Sequence, residues 1–535
     1  FTLDNSNGYR REGLIFQNQV QNPFENKAAV EILKGPAALR YGFANPGGVV
    51  NYILKRPTPE TYKYLELFGD SNGSIGAHFD LGAQLTDEIG VRINALGARD
   101  ASFVDGVAGP RHMFSAFVEW RPSDRLRIDL EAEYEYREQE QQATIADFSF
   151  DPSVTPAERK SLIEAFDQTT FLGAEFGTYP TRNFVGSVRA VYELADDWTL
   201  TAAVQKMNLI RDQQGVGIGF GTLTANGDFI ADTFFSPSQV RDPLSAEAYV
   251  TGSFRTGPLE HTLTVGAAFS DNPLRFELVG GTVLLGPSNI FDPQPQSLPP
   301  GGIAVGQPVD AIVFRQVAGF FTDAVKIGDK IEIIAGGRYT RQRTQDVFNA
   351  EETLQTSYDD GAFTPTVGAI FAPTQTLSFY ASWSQGITQG AVAPMTVVNA
   401  NAILPPERSR AYEAGVKADL FAGATVTAAI FDIEQPRTII TPDNIFTDGG
   451  SQRHRGAEIT IAGDVADGLR VIAGGLYLDA DVDDEETTIF DGLEPQGVPE
   501  FQANLYADWR TPFVRGLWLN GGVFYTGERF ADDAN

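Results

Sequence analysis

Leu126-Arg127-Ile128-Asp129-Leu130-Glu131-Ala132-Glu133-Tyr134-Glu135-Tyr136 alternates apolar and charged residues without a fault. Successive side chains of a strand point to opposite faces, so one face of this segment must meet something oily and the other water. Residues 75–85 and 377–383 repeat the pattern. Strands of soluble sandwiches average about five or six residues, whereas crossing a bilayer at a tilt of ~45° takes about nine to eleven. Segments of this length therefore read as membrane-crossing strands.

Working outward, the same period continues from Tyr62 onward and gives about nineteen strands. They begin near residues 62, 75, 90, 112, 126, 183, 198, 244, 260, 314, 330, 361, 376, 408, 425, 454, 468, 500 and 516. Short turns such as Pro122-Ser123-Asp124, Ala195-Asp196-Asp197 and Pro373-Thr374-Gln375 alternate with long polar stretches at 138–182, 211–243, 271–313 and 479–499. That asymmetry is the pattern of an outer-membrane barrel with short periplasmic turns and long outer loops. No apolar run approaches the ~18 residues of a membrane helix. No composition break divides the chain after residue 60, and one closed sheet can absorb such a length.

With no cysteine and four scattered histidines (His78, His112, His261, His454), disulfides, thiolate metal sites and histidine-rich centres are excluded or disfavoured. The formal charge of −30 repels phosphate backbones and argues against nucleic acid. The acidic run at 479–486 lacks the Gly turn and spaced Glu of an EF-hand and reads as a solvated outer loop. No nucleophile elbow or compact Ser/His/Asp set is present, so an enzyme is not expected.

Residues 1–57 are different. Val30-Glu31-Ile32-Leu33-Lys34-Gly35-Pro36, Leu39-Arg40-Tyr41-Gly42 and Asn45-Pro46-Gly47-Gly48-Val49-Val50-Asn51-Tyr52-Ile53-Leu54-Lys55-Arg56-Pro57 form a turn-rich unit of short strands. The order and spacing of this run resemble the end of the plug of TonB-dependent receptors, in the siderophore-receptor branch. Gly35, Pro36, Tyr41, Gly42, Pro46, Gly47, Gly48, Asn51, Lys55 and Arg56 carry the plug motif. Leu404-Pro405-Pro406-Glu407-Arg408-Ser409 ahead of Tyr412-Glu413 also resembles that branch.

The resemblance implies an all-β fold: a transmembrane antiparallel barrel of the 22-stranded type, with about nineteen strands present and the C-terminal part of a plug in its lumen. Residues 1–60 would be that plug part. Residues 61–535 would be the barrel, incomplete at its C-terminus, so that the first and last strands lack lateral partners. The implied activity is energy-driven import of a ferric siderophore through plug rearrangement, in the outer membrane of a Gram-negative bacterium. The partners would be TonB with ExbB and ExbD, together with outer-membrane lipid and lipopolysaccharide. Iron would belong to the ligand, so no protein-bound cofactor is implied. Haem, cobalamin or carbohydrate uptake, or a passive porin, are the alternatives.

Matched onto this chain, the family's electrostatic lock between plug and wall falls on Lys34, Glu413 and Glu458. Strand parity agrees: with Tyr412, Ala414 and Val416 facing lipid, Glu413 faces the lumen, and with Ile459 and Ile461 outward, Glu458 does too. A lysine at position 34 is a point charge where relatives carry a bidentate arginine. The plug apices that would touch ligand fall on Asn5 and Ser6 and on Gln19, Gln21 and Phe24.

Overall fold

The computed structural model describes residues 8–18, 22–34, 47–140, 149–174, 176–215, 222–277, 283–298, 308–346, 356–388, 390–391, 393–394, 396–400, 402–420, 423–484 and 492–530. Of the residues singled out above, Asn5, Ser6, Gln19, Gln21, Gly35, Pro36, Tyr41, Gly42 and Pro46 lie outside them.

Four short strands open the chain: β1 (Tyr9–Arg11), β2 (Leu14–Ile15), β3 (Lys27–Lys34) and β4 (Gly48–Leu54). They form a sheet of order β2-β1-β4-β3, with β1 and β4 parallel and the outer pairs antiparallel. Gly48 shows why a glycine is required there. Its φ is +121°, and a Cβ would sit 2.2 Å from the Leu33 carbonyl oxygen.

The wall begins with β5 (Tyr62–Gly69), β6 (Ile75–Gln84), β7 (Ile89–Ala101), β8 (Ala108–Ser123) and β9 (Leu126–Arg137). Between β9 and the next wall strand, the described residues of the outer connection include β10 (Ser149–Phe150) and a helix, α1 (Pro156–Ala165). The wall continues with β11 (Thr181–Ala195) and β12 (Trp198–Gly215), and the next outer connection holds β13 (Thr222–Leu223) and β14 (Asp228–Arg241). Wall strands β15 (Leu244–Thr256) and β16 (Leu259–Glu277) come next, followed by β17 (Val283–Asn289) in an outer connection. Then follow β18 (Pro308–Ile327), β19 (Ile331–Asp346), β20 (Thr356–Thr374), β21 (Leu377–Thr388), β22 (Glu407–Leu420) and β23 (Ala424–Ile440). The last four are β24 (Phe446–Ala466), β25 (Leu469–Asp484), β26 (Phe501–Arg510) and β27 (Trp518–Thr526).

All nineteen expected wall strands are present, the widest displacement being Phe446 against an expected 454. Strands start early where the backbone ladder continues above the bilayer, beyond the reach of the apolar alternation that signals them. The acidic run is a correction of the same kind. Asp479, Asp481 and Asp483 belong to β25 and stand opposite Arg455, Arg453 and Ser451 of β24, so this part is strand and not loop. The long stretches after β9, β12 and β16 are likewise not plain loops. Val154, Leu162, Leu172, Leu223, Phe229 and Ile290 make a small buried core there, under α1 and the β14/β17 ladder.

The wall strands order as a barrel ring. Register pairs run from β5 to β27, β12 passing from β15 to β14 at its outer end. Among the described residues none joins β27 to β5, and every residue of β27 is exposed. The ring order nonetheless places β27 next to β5.

Polarity is inverted relative to a soluble protein. On β9, Leu130 and Tyr134 are 40% and 44% exposed, while Asp129, Glu131, Glu133 and Glu135 are at most 8% exposed. Val188, Val265, Val317, Tyr339, Phe363 and Ile430 likewise stand on the outside, and Asn94, Gln205, Gln316 and Thr340 inside. An apolar exterior around a polar interior is the pattern of a lipid-embedded barrel.

The plug-barrel interface as candidate functional site

A cluster of buried charges lies where β1 meets β9. Arg11, fully buried, donates to both oxygens of Glu131, one at 2.6 Å, and to Glu133 at 3.0 Å. Glu133 also accepts from Lys27 at 2.8 Å and from the Asn26 amide. Burial pushes the Arg11 guanidinium down, but Glu131 and Glu133 outweigh it and hold it above its ordinary range. For Lys27 burial wins, and its pKa is lowered despite Glu133. One further acid of the row, Glu135, has both carboxylate oxygens without a hydrogen-bond partner among the described residues.

The end of the plug motif extends this contact down the wall. Arg56 meets Glu12 at 2.5 Å and Asp129 at 3.4 Å, and its guanidinium lies 4.5 Å over the Phe117 ring. Lys55 meets Asp80 at 2.8 Å, and Arg92 holds the same carboxylate at 2.6 and 2.7 Å. Asn51 knits the plug internally: its Oδ1 accepts from the Gly13 amide and its Nδ2 donates to Glu31, both at 2.9 Å. An apolar seam lies beside these ions. Phe16 and Tyr52 of the plug pack on Val185, Met207 and Leu209, which project inward from β11 and β12.

On the opposite side the contact is thin. Lys34 Nζ donates to Glu458 Oε2 at 2.6 Å, with the Lys34 side chain 56% exposed. Glu413 faces the lumen as its parity requires, but its hydrogen bond comes from the Tyr380 hydroxyl at 2.6 Å. Gly415, directly opposite Tyr380, gives the ring room to lie across the strand; a Cβ there would be 2.6 Å from the ring. Gly47, Lys34, Glu413 and Glu458 border a lumen cavity of about 610 Å³. Phe24 is largely exposed, edge-on to Tyr52 at 6.2 Å, next to the Glu25–Arg111 pair at the outer end of β8.

Sequence reasoning thus pointed at Lys34, Glu413 and Glu458 and missed Arg11, Lys27, Glu131 and Glu133. The signal was available. Four acids at period two on one strand cannot all face water cheaply in a filled lumen, and their cations had to come from elsewhere in the chain.

The family model for the TonB dependent receptor-like β-barrel matches residues 147–535. This chain belongs to that family. The receptor is 25% identical over 526 residues to the ferrichrome receptor FcuA of Yersinia enterocolitica, covering 95% of this chain and 67% of that one. It is 24% identical over 564 residues to the ferrichrome outer membrane transporter/phage receptor of Escherichia coli K12, covering 99% and 73%. Among solved structures, BauA, the ferric preacinetobactin receptor of Acinetobacter baumannii, superposes with a TM-score of 0.84 at 23% identity, covering 99% of this chain and 79% of that one. That superposition spans the plug sheet as well as the wall.

Proposed function

We propose that this receptor imports a ferric siderophore across the outer membrane, driven through TonB. The observation that carries the reading is a polar lumen occupied by a sheet that buried ion pairs fix to the wall. Passive diffusion of a large solute is incompatible with such a plug, so passage requires work on it. The similarity to receptors for ferrichrome, ferrioxamine and pyoverdine supports an iron chelate as cargo. Lys34, Glu413 and Glu458 serve in this reading as a second, weaker plug contact, and Phe24 as part of the outer ligand surface. The test is uptake of radiolabelled iron by cells expressing the full-length receptor, supplied as ferrichrome or ferrioxamine B, with and without TonB. Uptake that persists without TonB supports a porin instead.

A further inference from the structure

We propose that the wall carries a second site: Thr256, His261 and Asp323 form an acyl-ester hydrolase centre on its lipid-facing side, at the periplasmic rim, acting on membrane phospholipid. This site stands apart from the plug and from import. His261 Nδ1 lies 2.8 Å from Asp323 Oδ2, and its Nε2 lies 2.6 Å from Thr256 Oγ1. A carboxylate only accepts, so Nδ1 carries the proton; Nε2 of the neutral ring is then the acceptor, and the Thr256 hydroxyl donates to it. A hydroxyl, a base and an orienting carboxylate in that order activate an alcohol as nucleophile. Asp323 Oδ1 has no hydrogen-bond partner among the described residues, so the hydrogen bond of this carboxylate goes to the imidazole. The set comes from β15, β16 and β18, and its members stand 5 and 62 residues apart, out of reach of any short motif.

Strand parity places the group outside. Val265 of β16 and Val317 of β18 face lipid, and His261 and Asp323 lie an even number of residues from them. Phe254, directly opposite His261, shares that face with Thr256. The turn Gly257-Pro258 joins β15 to β16, with Thr256 opposite Leu259, and such short turns mark the periplasmic end. Rings mark the same boundary: Trp198 stacks on Phe254 at 6.4 Å, and Phe254 on His261 at 4.7 Å. Phospholipid esters lie at this depth, between headgroups and hydrocarbon. The stack fixes the imidazole plane, and the His261 side chain stays 14% exposed. A side chain at Gly257 would meet nothing within 4 Å, so a substrate carbonyl has open space beside the nucleophile.

In the reaction, Thr256 Oγ1 attacks the acyl carbonyl carbon while His261 Nε2 takes the hydroxyl proton. Asp323 offsets the charge of the imidazolium, and the Gly257 amide donates to the oxyanion. Collapse breaks the bond to the glycerol oxygen, which leaves as lysophospholipid with the proton from Nε2. Water, deprotonated by His261, then cleaves the acyl-Thr256 ester, releasing fatty acid and restoring the hydroxyl.

The test uses the purified full-length receptor in vesicles of phosphatidylethanolamine and phosphatidylglycerol with radiolabelled acyl chains. Free fatty acid and lysophospholipid are counted, each receptor first being checked for the heat-modifiable migration of a folded barrel. His261→Ala and Thr256→Val are each expected to lower release about a hundredfold or more. Thr256→Ser keeps a hydroxyl and should stay within about tenfold of the unsubstituted receptor. Asp323→Asn, at a positioning residue, should lower kcat while KM stays within about twofold. Mass spectrometry of acid-quenched reactions should find the acyl adduct on Thr256. Release by the unsubstituted receptor no greater than by His261→Ala, release undiminished in Thr256→Val, or an adduct on another residue overturns the proposal. If His261→Ala does not fold, His261→Gln supplies the same comparison.

Discussion

Arg11→Met tests the buried cluster. The substitution keeps most of the side-chain volume but removes a guanidinium that touches Glu131 twice and Glu133 once. Both carboxylates stay buried, with Lys27 and the Asn26 amide as the remaining partners of Glu133. Stripping one partner from a buried pair costs about 3–5 kcal/mol, because the stranded charge keeps its desolvation penalty and loses its compensation. At 1.4 kcal/mol per factor of ten, local opening of the plug should become roughly a hundred to several thousand times more frequent. Native-state amide hydrogen exchange of peptides covering β1 and β4, in the full-length receptor, reads that ratio directly. Adding Glu131→Gln should recover part of the loss, since it removes a stranded charge, so the double variant is less than additive. Acceleration below tenfold for Arg11→Met, or equal acceleration for Lys34→Ala at the exposed pair, would refute the assignment of the anchor to β9.

Other outcomes follow from the same structure. Lys34→Ala should change plug exchange by no more than about fivefold, since a solvent-open ion pair contributes about 0–1 kcal/mol. Glu135→Gln should leave β1 exchange unchanged or slow it, because the carboxylate it replaces is buried without a partner, whereas Glu133→Gln should speed it; faster exchange for both would mean that Glu135 is paired. Gly48→Ala forces a side chain into φ +121° against the Leu33 carbonyl and should destabilise the β3/β4 ladder by about 1–3 kcal/mol, visible as faster exchange there and not on β9. In α1, hydrogen bonds first from the Thr155 side chain and then from its backbone hold the Glu158 carboxyl below its ordinary value. A depressed carboxyl stabilises the helix above its unfolded pKa and loses that contribution as pH falls through the folded one. Exchange of residues 156–165 should therefore accelerate below about pH 4, and Glu158→Gln should remove that dependence.

The wall was legible because lipid on one side and a polar lumen on the other impose period two on every crossing strand. The same rule placed Glu413 and Glu458 correctly inward from Tyr412 and Ile459. It could not say which lumen acid meets which plug cation, since that depends on the rotation of the plug inside the ring. Nor could it see the core beneath α1, where Val154, Leu162, Phe229 and Ile290 come from connections far apart in sequence. Motif matching pointed at Lys34 and passed over Arg11, which sits in a segment without a diagnostic phrase.

The row Asp129, Glu131, Glu133 and Glu135 brings fold and function together. In an open pore these acids would be hydrated and mutually screened, and any spacing would serve. With a plug docked they lose that water, and each must find a cation or remain a cost to the assembly. The plug supplies Arg56, Arg11 and Lys27 in that order up the strand, and leaves Glu135 unanswered. The wall strand is thus charged for a plug in one rotational setting: turning the sheet away from β9 would leave several buried carboxylates unpaired at once.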